Sequence, residues 1–260
     1  MADLVPTACA ALRRRSGEVG APATYWFFGD VVRIVAQCEP GGRCPTPGAP
    51  IWSWTNQDGQ SYPFPADATS YGTLWRSLAG ALGPGGPQAL YTTADRTLLH
   101  AILRGEWPDD PVRVASFDPE AEGLMNPEQP WEPHELTRSG VSASMLSAAC
   151  AVDLSPAVLL FGQVDSGPVH WRWDPHLKEV SGPSPLPAGV KGPVTAAFLG
   201  YDTAEVDHGA SKVSRRITRL YSGAEEQAFV VTESATGFAF HEVPSAAPFL
   251  KQLTEHVKQP

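Results

Sequence analysis

Basic charge is scarce in this chain. Nineteen Lys and Arg stand against 28 Asp and Glu over 260 residues, a formal net charge of −9. A surface built for nucleic-acid phosphates needs a basic stripe that displaces counterions, so no nucleic-acid partner is expected. Cysteine is rare too: Cys9, Cys38, Cys44 and Cys150 are too few for a disulfide framework. Cys38 and Cys44 share a Pro/Gly loop and are read as free thiols in a reducing compartment, with a small disulfide or a pair of zinc ligands as the alternatives. Long apolar runs are missing, because Tyr25–Phe28 is cut by Gly29, Asp30 and Arg33, and no membrane partner is expected. Met1 to Val19 places Arg13 to Arg15 after an Ala-rich run, the reverse of a secretory signal, which points to a soluble, cytoplasmic protein.

Catalytic signatures are also wanting. There is no G-x-S-x-G elbow and no G-x-G-x-x-G; Gly209-Ala210-Ser211-Lys212 lacks the upstream glycine of a phosphate loop. His170-x5-His176 and His241-Glu242 lack the i, i+4 spacing that puts two ligands on one helix face. No cofactor and no metal site is expected. Residues that converge only in three dimensions would escape this test.

What the chain has in quantity is Pro (26) and Gly (24), with ordinary apolar content. That combination describes a folded protein with many turns. Helices are expected at Asp3–Arg15, at Tyr71–Leu82, from Thr93 through Leu103, at Ser142–Val152 and at Ser245–Val257, each from apolar residues at helical spacing. Strands are expected at Thr24–Ala36 with a bend at Gly29, at Ala89–Thr92 and Val112–Phe117, and at Thr195–Tyr201, Gln227–Thr232 and Gly237–His241. Hairpins are expected at Ile51–Trp54 with Gln60–Phe64 and at Ala157–Val164 with Val169–Trp173. Ala204 to Tyr221 is ambiguous between helix and strand. The acidic, Pro-broken segment 118–135 reads as a linker between an N-terminal unit, 1–117, and a C-terminal unit, 136–260.

The two units echo one another. Phe28-Gly29, Trp52-x-Trp54 and Pro63-Phe64-Pro65-Ala66 recur in order as Phe161-Gly162, Trp171-x-Trp173 and Pro185-Leu186-Pro187-Ala188. Chance matching in a Pro- and Gly-rich chain is the alternative to duplication. The expected fold class is α+β, with mixed or antiparallel sheets, helices on one face, and possibly two pseudo-equivalent units.

In a strand, residues two apart share a face, so Trp52 with Trp54, and Trp171 with Trp173, each form an indole pair that is either a core wall or a stacking platform for a sugar or nucleobase. His170 and Arg172 then point the other way and become candidates for solvent-facing contacts. Asp207 and His208 lie in an acidic stretch with Asp202 and Glu205 and are the candidate catalytic pair of a hydrolase or transferase. Arg215 and Arg216 belong to a basic cluster that binds an acidic group or pairs with those acids. The reading that best fits the missing signatures is a non-catalytic, regulatory or scaffold protein that binds another protein or a second copy of itself.

Overall fold

Both faces of the innermost strands are buried, and this sets the architecture. The computed structural model describes residues 5–12, 23–29, 31–36, 53–55, 61–63, 69–70, 82, 86–92, 98–105, 107, 109–117, 135–208, 211–234, 237–244 and 246. Among these, four antiparallel meanders follow one another along the chain. The first pairs β1 (Ala8–Leu12), β2 (Ala23–Phe28), β3 (Val31–Ala36) and β6 (Thr69–Ser70), with a detached hairpin, β4 (Ser53–Thr55) and β5 (Ser61–Pro63), in the excursion before β6. The second has β7 (Ala89–Thr92), β8 (Leu99–Ile102) and β9 (Val114–Phe117). A short helix α1 (Glu135–Arg138) and a 3-10 turn (Ala143–Met145) lead into the third, β10 (Leu146–Ala151), β11 (Val158–Val164), β12 (Gly167–Asp174) and β13 (Glu179–Pro185). The fourth is β14 (Ala196–His208), β15 (Ser211–Ser222), β16 (Glu225–Ser234) and β17 (Gly237–Glu242).

The first strands of the four meanders close a ring. β1 packs on β7, β7 on β10, β10 on β14, and β14 back on β1. All four begin at one end: Gln88, just before β7, donates its side-chain amide to the carbonyl of Leu146 at the start of β10. Ser147 Oγ in turn donates to the carbonyl of Val194, just before β14, at 2.6 Å. Gly86, ahead of β7, sits so close to the carbonyl of Gly29, beside the start of β1, that an added Cβ would lie 2.2 Å from it. Four radial meanders around a common axis make a four-bladed β-propeller.

Four apolar clusters fill the four interblade interfaces, and the strands alternate between them. Ala8, Ala10 and Leu12 face the second blade's Leu90, Leu99 and Phe117. Cys9 and Ala11 face the fourth blade's Ala196, Phe198 and Tyr221. Ala89 and Tyr91 meet Ala149, Trp171 and Trp173. Ala148 and Cys150 meet Ala197, Leu220, Phe229 and Val231. Period-2 alternation therefore operates between two apolar environments rather than between core and water. Small side chains suit the crowded axis. The Cys9 and Cys150 thiols are buried there, and burial pushes both well above the ordinary thiol value, which keeps them protonated and inert.

The α+β expectation is thereby corrected: the described chain is nearly all strand, arranged as four antiparallel meanders rather than as sheets covered by helices. Asp3–Arg15 holds strand β1, Ser142–Val152 holds the 3-10 turn and β10, and Leu99 to Ile102 is β8. Alanine favours helices in isolation, and an apolar run buried on two sides has no strand alternation to betray it. Ala204 to Tyr221 resolves as the long β14/β15 hairpin. The Phe-Gly echo is not structural either, since Gly29 sits in a turn with φ +68° and Gly162 lies inside β11. Most of the helix expected at Tyr71–Leu82, most of Ser245–Val257, residues 118–134 of the expected linker, and Cys38 and Cys44 lie outside the described residues.

Candidate functional site

At the end of the propeller where the inner strands finish, the third and fourth blades splay and leave a groove of about 480 Å³. Its walls are His170 and Arg172 from β12, Ser181, Gly182 and Ser184 from β13, and Glu233, Ser234, Gly237 and Phe238 from the β16–β17 turn region. Alternation along β12 explains the arrangement. Val169, Trp171 and Trp173 turn toward the second blade, so His170, Arg172 and Asp174 turn toward the fourth. Gly182, at φ +111°, lets β13 close over this wall, because a Cβ there would lie 3.1 Å from the His170 carbonyl and 3.2 Å from the Trp171 ring.

A charged clip holds the floor of the groove. Arg172 Nε donates to Glu233 Oε1, and Ser155 Oγ donates to Glu233 Oε2, so the carboxylate of the fourth blade is gripped from strand β12 and from the β10–β11 loop of the third. Arg172 Nη2 donates to Asp174 Oδ2 at 3.4 Å, while Asp174 Oδ1 accepts from the main-chain N–H groups of His176 and Leu177 at 3.0 Å each. Burial alone would push the Asp174 carboxyl up. The two N–H groups and the guanidinium outweigh it and hold the group below the usual carboxylate value. The bond to Glu233 likewise raises Arg172 above its ordinary value.

His170 is 8% exposed, with Phe238 and Phe240 against its ring at 6.4 and 5.9 Å between centroids. Its Nδ1 is buried and, among the described residues, finds no hydrogen-bond partner. Burial lowers its pKa below the ordinary value, against the opposing pull of the Pro185 and Ser184 carbonyls. The solvent-facing surface expected for this residue is instead an interblade interface, because in a propeller the reverse of one core wall is another.

The remaining candidates are scattered. Trp171 and Trp173 are buried between the second and third blades, with Trp173 edge-on to Tyr91 at 5.2 Å. Trp54 pairs with Tyr62 in the β4/β5 hairpin, Trp52 is outside the described residues, and nothing is described of the Trp54 side chain. Asp207 and His208 stand near the tip of the β14/β15 hairpin, opposite Lys212 and Ser211, with Asp207 exposed. Arg215 Nη1 donates to its neighbour's carbonyl, Ser214 O, at 3.1 Å. Arg216 is used internally: its N–H donates to Asp153 at 3.2 Å and its guanidinium lies 4.7 Å above the Tyr201 ring. Asp202 pairs with the buried Arg219 at 2.8 Å, and Arg219 also reaches Glu226 at 3.0 Å. Among the described residues no group of His, Cys, Asp and Glu is placed to hold a metal.

Sequence reasoning missed Glu233 and Ser155. Neither belongs to a motif, and they reach each other across 78 positions of chain. It also missed Leu154 and Leu177, which are 79% and 65% exposed at the tips of two turns of the third blade. Both turns, β10–β11 and β12–β13, lie at the end where the groove opens.

The class this geometry defines is a four-bladed propeller with an interblade recess. No protein-family profile matches the chain, and no curated protein does. Solved structures do match along almost the whole length. A plant lectin with two metal binding sites from Cicer arietinum aligns with TM-score 0.64 and 12% identity over 98% of this chain and 99% of its own. The hemopexin fold protein CP4 from cow pea aligns with TM-score 0.57 and 13% identity over 96% of each. A 2S albumin seed protein from Dolichos gives 0.60 and 14% over 96% of each. At these identities the likeness is one of fold.

Proposed function

We propose that this chain is a non-catalytic recognition protein that docks another protein at the groove end of its third and fourth blades. The observation that carries this is the pairing of a 480 Å³ recess with two leucines left exposed on the turns of the same blade end. Leu154 holds φ +57°, in the left-handed region that non-glycine residues uncommonly adopt, and its side chain is 79% exposed at that turn. Large exposed apolar side chains beside a concave, polar-rimmed surface are the usual anatomy of a protein contact. The charges nearest the groove floor are already neutralised by one another, so a partner meets shape and hydrogen-bonding groups, Ser181, Ser184 and Ser234, rather than a bare charge.

The test is capture from the source cell extract by wild type and by Leu154→Asp/Leu177→Asp, followed by crosslink mapping. A protein held by wild type, lost from the double variant and crosslinked to this end of the third blade is expected. A monomeric wild type that retains nothing, or a partner retained equally by both, overturns the reading.

A further inference from the structure

We infer that the partner is received as an extended acidic segment that adds a strand to the open edge of β15; this rests on the docking reading above and names the form in which the partner binds.

The fourth blade forks. Among the described residues β15 pairs with β16 only from Thr218 to Ser222, and past Phe229 β16 pairs with β17 alone. Ser211 to Arg216 therefore has β14 on one side and no strand on the other. The β10–β11 turn of the third blade enters the fork. Asp153 holds one prong, its Oδ2 accepting from Arg216 N at 3.2 Å, and Ser155 holds the other through Glu233. Leu154, between these two, stands beside the open edge with its side chain 79% exposed.

The direction of the main chain follows from the same contact. Arg216 N points away from β14, toward Asp153, and main-chain groups alternate sides along an antiparallel ladder, so those of Lys212 and Ser214 point the same way. Among the described residues, Arg215 Nη1 donates to Ser214 O at 3.1 Å, while the Lys212 N–H and C=O and the Ser214 N–H on this edge meet no partner. Both residues are exposed. Such an edge is a template for one more strand.

The side chains select which strand. Residues 211–216 carry Lys212, Arg215 and Arg216 and no acid. Arg216 is engaged by Asp153 and the Tyr201 ring, but Lys212 and Arg215 form no ion pair among the described residues, although Asp207 stands opposite Lys212 on β14. Like charges oppose pairing with a second copy of this edge and favour a partner that brings carboxylates. On the other face Val213 pairs with Val206, both half-buried. The fitting segment thus carries Asp or Glu on the face of Lys212 and an apolar residue on the face of Val213.

A phage-displayed library of random linear peptides is selected on the full wild-type chain, and the strongest binder is remade with single N-methylated residues along its length. Acidic peptides with interspersed apolar residues are expected. N-methylation should weaken binding about tenfold or more at every second residue, where the N–H meets β15, and leave the intervening positions unchanged. Lys212→Glu should weaken it about fivefold. Ser214→Pro, which removes an N–H that β14 does not use, should abolish it at an unchanged melting temperature. A library without acidic binders, N-methyl effects without alternation, or equal affinity for a folded Ser214→Pro overturns the inference. A wild type that dimerises and turns monomeric in Ser214→Pro assigns the edge to a second copy and overturns it as well. An extract partner that Leu154→Asp/Leu177→Asp loses and Ser214→Pro keeps removes strand addition and leaves the docking reading standing, whereas a partner kept by both variants removes both.

Discussion

His170 is a titratable side chain whose environment changes sharply on unfolding. It is buried between blades, with Arg172 beside it on its own strand, the Ser184 and Pro185 carbonyls on β13, and Phe238 and Phe240 on β17. Burial depresses its folded pKa below 6.5, so in acid the unfolded chain takes up a proton that the folded chain resists. Stability linked to His170 is therefore fully present above the unfolded pKa and is lost as pH falls below about 6.5. Urea midpoints measured from pH 7.5 to 5.5 are expected to fall more steeply in wild type than in His170→Gln, which has no proton to gain. Parallel slopes would show that the ring titrates as freely in the fold as outside it. At this scale the sequence was partly legible: Trp171-Arg172-Trp173 fixed which side chains share a face, and the structure keeps that division. What lay across from His170 and Arg172 was not legible, because Glu233 reaches Arg172 from 61 positions away.

Among elements, the third-blade hairpin and the inner strands β7 and β14 were readable, while the inner strands β1 and β10 were not. β11 with β12 announces itself through aromatic and β-branched residues on either side of a turn, whereas Thr24–Ala36, read as one strand bent at Gly29, is the hairpin of β2 and β3. β1 (ACAAL) and β10 (LSAACA) have composition that favours helix, and their strand state is imposed by neighbours: each is paired along one edge and covered on both faces. Their alanines are a packing requirement at the axis rather than a conformational preference. Ala149 is 1% exposed between the second and third blades, in the cluster that holds Trp171 and Trp173. Ala149→Leu adds three carbons where there is no room and is expected to cost about 1–3 kcal/mol by overpacking. The same change at Ala204, half-exposed on the β14/β15 hairpin, should stay within about 0.5 kcal/mol. Chemical denaturation of the two variants side by side checks this, and equal costs would mean that the inner strands are not closely packed.

Across the whole molecule, closure of the ring distributes the core into four interfaces, each shared by two blades. Between the third and fourth, the apolar cluster carries the packing near the axis, and toward the finishing end of the strands the Arg172, Glu233 and Ser155 clip takes over. Both partners of its ion pair are a quarter exposed, so solvent screens them and the pair's coupling should be about 1 kcal/mol, too small to hold the fold but enough to hold two blade ends together. A double-mutant cycle of Arg172→Ala and Glu233→Ala, read by hydrogen exchange as well as by denaturation, separates these roles. Exchange is expected to quicken in β13 and around Gly237, the outer walls of the groove, while β10 and β14 keep wild-type protection because Ala148, Cys150 and Ala197 still pack at the axis. A protein partner that needs the groove in its closed shape would then bind the Arg172→Ala variant more weakly without contacting the guanidinium. Faster exchange in all four inner strands would instead make the clip a determinant of ring closure itself, and the groove could no longer be treated as a local feature of an otherwise independent scaffold.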